Sequence, residues 1–197
     1  MVTEDVKLKK DKLRNLILRI LNEAKEPISK VKLAKLVLFA EIEYFKKYGR
    51  SITDLYFVRL DYGPVIAFFQ QTLSEGEEKE WERRKEPIYI SELKRKRFIE
   101  NYIAKEKPVS LGEDIDKVIK RVVNKYGKLT GTRLSLLAHR LPAWKYSEPN
   151  APIYLVELTK EKEEEYFGLL DALENIDDTT EMEKKISQLL SAVSRGA

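Results

Sequence analysis

Apolar side chains at Leu13, Leu16, Ile17, Ile20, Leu21 and Ala24 recur with the period of an α-helix and predict an amphipathic helix over residues 11–24. Glu26-Pro27 ends it, because a residue before proline is pushed out of the helical region. Ser29 can cap a second helix, expected over 30–48. Its apolar stripe runs through Val31, Ala34, Val37, Leu38, Ile42 and Phe45. Leu33, Leu36, Phe39 and Tyr44 widen the stripe, as in a central helix touched on several sides, and Gly49 suits its C-terminal stop. The period then changes. Residues 55–60 are rich in aromatic and β-branched types and predict a short strand. Asp61-Tyr62-Gly63-Pro64 reads as a turn, with Pro64 expected to open a short helix through Val65, Phe68, Phe69 and Leu73. Residues 79–93 read as a small hairpin, and 94–103 as a basic helix or helix-like turn followed by a linker over 105–108. Helices are expected over 111–126, stopped by Gly127, and over 130–140. The proline-rich stretch 142–152 reads as an ordered loop, since Trp144 and Tyr146 need cover. Two closing helices are expected over 159–173 and 180–193. The predicted fold is mainly α with a small antiparallel β-sheet or hairpin (α+β), a helical domain with two additional C-terminal helices.

Charge divides the chain. The formal net charge is +4, yet residues 1–156 hold 32 basic and 22 acidic side chains, a net +10. Residues 157–197 hold 5 and 11, a net −6. The expected organisation is therefore a body over 1–156 and an acidic helical extension over 157–197, packed on it or tethered to it. Such a split suits nucleic acid, an acidic protein partner, or pairing of tail with body. No cysteine is present, which removes disulfides, thiol nucleophiles and thiolate-bound zinc, and a lone histidine removes multi-histidine metal sites. The start of the chain lacks the apolar core of a signal peptide, and the densest apolar run, 36–40, is far too short to span a bilayer. A cytoplasmic protein without membrane contact is expected. Neither a GxGxxG nor a GxxxxGK[ST] loop occurs, and no cofactor is expected.

His139 reads either as a general base or, more blandly, as a half-buried group that caps backbone near Trp144. Asp114 and Asp116 suit the positive end of their helix better than a metal. Tyr62-Gly63-Pro64-Val65 is a displayed recognition turn or a plain strand corner. Arg83, Arg84 and Lys85, with Lys94, Arg95, Lys96 and Arg97, are candidate contacts to nucleic acid or to an acidic partner; the bland alternative is a solvated charged face. Helix 11–24 followed by a helix from residue 30 can open a winged helix with the basic hairpin as its wing, although a helix as apolar as 30–48 does not suit a DNA groove. Phe68, Phe69, Tyr89, Phe98, Tyr102, Trp144 and Tyr146 supply aromatic surface for either a core or an anchor patch.

Three segments, taken in order, resemble a known family. They are Lys32 to Ala40 (KLAKLVLFA) followed by Tyr44 and Tyr48 to Ile52 (YGRSI), then Tyr62-Gly63-Pro64-Val65, then Leu134 to His139 (LSLLAH) with Trp144. This set is similar to the Panacea domain of SocA-like antitoxins, also known from phage-associated proteins. The resemblance implies a non-enzymatic antitoxin that neutralises a cognate protein toxin encoded nearby, or a proteolytic adaptor that delivers the toxin to an ATP-dependent protease. It assigns no catalytic residue. Tyr62, Gly63, Pro64, His139 and Trp144 are the candidate partner-binding residues. The competing expectation is a DNA-binding, winged-helix-like regulator of its own operon.

Overall fold

The computed structural model describes residues 2–77, 79–90, 95–108 and 110–174; within these, the side chains of 2–3, 88–90, 95–97 and 170–174 are left out of the description. Helix α1 (Val2–Ala24) is longer than its apolar stripe. Its first turns are charged and helix-forming and include the i,i+4 pair Asp5–Lys9. Its core face, from Leu13 to Leu21, is fully buried. Lys25 takes a left-handed φ of 58° and Pro27 prevents resumption. The two-residue strand β1 (Ile28–Ser29) leads into α2 (Lys30–Tyr48). Ser29 Oγ accepts from the Lys32 N–H at 3.4 Å, and Gly49, at φ 66°, sends its N–H to the Phe45 carbonyl. Every residue from Leu33 to Ile42 is buried, so α2 is the central helix. Val31 lies outside that stripe and faces solvent.

Strands β2 (Phe57–Val58), β3 (Val65–Ile66) and β6 (Pro152–Ile153) form one antiparallel sheet, ordered β3-β2-β6, with Phe57 opposite both Ile66 and Ile153. Pro64 therefore opens a strand and not the expected helix. Val65 and Ile66 are β-branched and pair with Val58 and Phe57. Helix α3 (Phe69–Gly76) starts only after Phe68, at φ 62°, has turned the chain.

The second correction concerns the hairpin expected within 79–93, of which 81–90 is a single strand, and the basic helix or helix-like turn expected over 94–103. Residues 95–104 are instead strand β5 (Arg95–Ala104), paired antiparallel over ten positions with β4 (Trp81–Ile90). Ile99 and Ile103 alternate with Phe98 and Tyr102, and Tyr102 is buried beside Trp81, whose Nε1 donates to the Leu73 carbonyl. Strand β1 adds to β5, giving the order β1-β5-β4.

Helix α4 (Glu113–Tyr126) buries Val118, Ile119, Val122 and Val123 and packs on α1 and α2. Three acidic residues occupy its first turn, as its dipole favours. Thr130 caps α5 (Gly131–Ala138), which packs on α2. The ordered loop contains a one-turn helix, α6 (Pro142–Tyr146). Beyond it lie α7 (Leu155–Leu158) and α8 (Glu163–Glu174). Leu158 and Tyr166 join the common core, while Lys46–Glu161 and Lys145–Glu163 ion pairs bind the acidic segment to the body. The helix expected over 180–193 lies outside the described residues. The architecture is thus mainly helical with two small antiparallel sheets, and no helix among the described residues is long and apolar enough to cross a membrane.

Candidate functional site

The loop from β2 to β3 is held from three directions. Trp144 Nε1 donates to the Leu60 carbonyl at 2.7 Å. The Arg59 guanidinium lies 4.7 Å from the Trp144 ring centre, and the His139 imidazole stacks on that indole at 3.8 Å and 9°. One ring nitrogen of His139 donates to the Asp61 carbonyl. From α2, Lys35 Nζ donates to the Pro64 carbonyl at 2.7 Å. Gly63 sits at φ +96°, and a Cβ there would lie 2.9 Å from Lys35 Nζ and 3.1 Å from Ala138 Cβ. A side chain at this position is excluded by both backbone strain and contact. Lys35, Gly63-Pro64 and His139–Trp144, far apart in sequence, are therefore one assembly.

Its electrostatics follow from burial. Lys35 is 1% exposed, and removal from water brings its pKa down to about 7, so the amine is poised between charged and neutral. His139 is held below its ordinary value, first by desolvation and then by the Lys35 charge, and is neutral at pH 7. Its Nε2 is buried without a hydrogen-bond partner, and so is Ser135 Oγ one turn earlier. These two atoms do not bond to each other, so they are not joined as a nucleophile and its base. Further along α2, the buried Glu41 carboxylate accepts from Ser51 Oγ, Thr53 Oγ1 and the N–H groups of Ile52 and Thr53; desolvation still raises its pKa. It fastens the 51–53 loop to α2.

Of the five candidate partner-binding residues, Tyr62 is 72% exposed, while Gly63, Pro64, His139 and Trp144 hold the corner beneath it. The basic hairpin is partly self-neutralised. Arg83 pairs with Glu77 (2.7 Å) and Glu100 (3.2 Å), and Arg84 with Glu82 (3.0 Å). Lys85 is exposed. Lys94 and the side chains of Arg95, Lys96 and Arg97 lie outside the described residues. Asp114 accepts from the Tyr48 hydroxyl and Asp116 pairs with Arg19. Among the aromatic candidates, Phe69 and Tyr102 are core, whereas Phe68 and Phe98 reach solvent. Tyr89's side chain lies outside the described residues. The sequence reading missed Lys35 and Glu41. The available signal was a charge at helical spacing from apolar neighbours, Lys35 with Leu38 and Ile42, and Glu41 with Val37 and Leu38.

The fold and the corner together define a mainly helical α+β domain that displays the exposed Tyr62 from a clasped turn. A family model described as "Antitoxin SocA-like, Panacea domain" matches residues 33–145. The chain belongs to this family of antitoxin-like proteins. The matched interval contains every residue of the clasp, from Lys35 to Trp144. No curated protein and no solved structure matches the chain.

Proposed function

We propose that the chain is a non-enzymatic cytoplasmic protein that binds and neutralises a protein toxin encoded beside it, either as an antitoxin by binding alone or as a proteolytic adaptor that hands the toxin to an ATP-dependent protease. The observation that carries this reading is the meeting of the three family segments in one rigid corner, with Tyr62 projecting from it. Tyr62, Gly63, Pro64, His139 and Trp144 are its partner-binding region: Tyr62 makes contact, and the other four hold its approach angle. The acidic stretch 157–197 is an extension packed on the 1–156 body or tethered to it; the pairs from Lys46 and Lys145 to Glu161 and Glu163 support packing of its described part.

The test is co-expression with the adjacent reading frame. The neighbour's product alone arrests growth, the pair grows and co-purifies, and Tyr62→Ala weakens both rescue and complex. Growth arrest that persists with no complex formed would refute the reading. The adaptor role predicts faster toxin turnover when the chain is present; equal half-lives remove it.

One observation favours DNA binding as the second reading. The β4–β5 hairpin beside β1, in the order β1-β5-β4 and following α1 and α2 in the chain, supports the wing of a winged-helix reading. The self-paired Arg83 and Arg84 speak against it, since phosphate contact needs free cations. Retarded DNA migration that disappears with rising salt would support this reading; free migration at low salt would end it.

A further inference from the structure

Beside the clasp lies a groove of about 960 Å³, open to solvent, between the start of α2, the start of α5 and strand β5. Its apolar lining is unusually exposed: Phe98 is 67%, Leu136 59% and Val31 41% exposed, and Tyr62 stands at its rim. Isolated exposed apolar residues are ordinary, but four converging on one concave surface mark an interaction site.

The charges around it are mostly positive. Among the described residues, Lys30, Lys32, Lys85 and Lys128 line the groove against one carboxylate, Glu100. Lys30 pairs with that Glu100 only at 3.8 Å, and Lys32 with Glu26, outside the groove, at 3.5 Å. Two helix starts meet here. Gly131 allows this, because a Cβ there would lie 3.2 Å from the Lys32 nitrogen and 3.3 Å from Val31 Cβ. Helix N-termini carry partial positive charge and normally attract Asp or Glu into their first turns. Helices α1, α4 and α8 follow that rule, whereas α2 and α5 have no acidic residue in their first turns. Instead lysines stand at both positive ends. Within the groove, Ser135 is 6% exposed and its Oγ has no hydrogen-bond partner. A buried hydroxyl without a partner is a standing cost that an incoming acceptor relieves.

We propose that this groove seats an acidic, amphipathic segment of the toxin, whose apolar side chains pack on Val31, Phe98 and Leu136 while its carboxylates face the two helix starts and Ser135. The proposal rests on the antitoxin reading and names the part of the partner that is recognised. Both demands come from the groove itself: an apolar floor excludes a fully hydrated ligand, and a positive rim only partly answered by carboxylates selects a negative one.

The test uses the full chain with the product of the adjacent reading frame. Phe98→Ser removes an anchor, and the double variant Lys30→Glu/Lys128→Glu reverses the rim; all three positions are outside the core, so each variant keeps a cooperative fold with stability within about 1 kcal/mol of the wild type. Each variant is expected to weaken the complex about tenfold or more, and the double variant also flattens the dependence of Kd on salt. A photocrosslinking amino acid at position 136 is expected to label a toxin segment rich in Asp, Glu and apolar residues. Failure of the wild-type chain to bind the neighbour's product refutes the antitoxin reading itself. A complex whose Kd is unmoved by all the variants leaves that reading standing and overturns the groove. Crosslinks to a basic toxin segment, or to residues 175–197 of this chain, overturn the proposed occupant. So does displacement of the toxin by a single-stranded DNA oligonucleotide at equal concentration.

Discussion

Replacing Lys35 by Met tests the most unusual energetic feature of the fold. The ammonium is 1% exposed and has one hydrogen bond, to the Pro64 carbonyl. Burial lowers its pKa from 10.5 to about 7. In the unfolded chain the same amine keeps its proton to about pH 10.4. Between pH 7 and pH 10 the unfolded state therefore binds a proton that the native state has released, so stability rises with pH in this window. Integrating over the two pKa values gives a gain of about 3.5 kcal/mol from pH 7 to pH 10. Methionine has nearly the same length and no charge. It leaves the Pro64 carbonyl unpaired, at a cost of about 1–2 kcal/mol that does not vary with pH. Urea unfolding from pH 7 to pH 10 should show a rising wild-type midpoint and a flat one for Lys35→Met. Measurement stops at pH 10, because Tyr102, raised to about 12, and the raised Lys145 lower stability beyond it. A stability difference that stays constant across the window would refute the argument, since it would mean that the amine keeps its ordinary pKa.

Other perturbations probe the same construction. Gly63→Ala forces a Cβ into a left-handed position against Lys35 and Ala138, and should cost about 2–3 kcal/mol by thermal or urea unfolding; an unchanged midpoint would mean that the corner is loose. Trp144→Phe keeps an aromatic surface for His139 but loses the bond to the Leu60 carbonyl, a loss of about 1–2 kcal/mol measured the same way. Glu41→Gln turns an amide NH₂ toward donors that a carboxylate satisfied, and should cost about 1–3 kcal/mol; hydrogen exchange at Ile52 and Thr53 should accelerate. Lys25→Gly relieves an exposed left-handed residue after α1 and should raise stability by about 1 kcal/mol; a lower melting temperature would contradict that.

The helices α2, α4 and α5 were legible because each keeps a 3.6-residue apolar period and ends on a residue suited to the stop or start, Ser29, Gly49, Gly127 or Thr130. Two places were not legible, for different reasons. Val65 and Ile66 follow a proline that could open a helix, but their β-branched side chains find a pre-existing partner in β2, and pairing decides the outcome. In residues 94–103 a run of Lys and Arg imitates an exposed helix face, while the decisive feature is the opposing strand β4, invisible in a local window. Of the candidate site, the members Gly63, Pro64, His139 and Trp144 could be picked out by residue type. For Lys35 the spacing to Leu38 and Ile42 was a signal only of position, because a lysine in an apolar run ordinarily points its charge to water, and here the Pro64 carbonyl draws it inward.

Charge shows the same limit from the other direction. The run of cations around the hairpin is the most conspicuous basic feature of the sequence, yet Arg83 and Arg84 are answered by Glu77, Glu100 and Glu82. The lysines that matter are dispersed: Lys30 and Lys32 begin one helix and Lys128 precedes another, and no local composition joins them. They become one field only because Gly131 lets the start of α5 abut the start of α2. There they add to two helix dipoles that the first-turn sequences leave uncompensated. A folded protein places cations against positive helix ends at a cost in stability, and at this groove an anionic partner removes that cost on binding. Neutralising Lys30 and Lys128 to Gln should then raise the stability of the free chain by a few tenths of a kcal/mol while weakening the complex, opposite signs that a merely solvating pair of lysines would not produce.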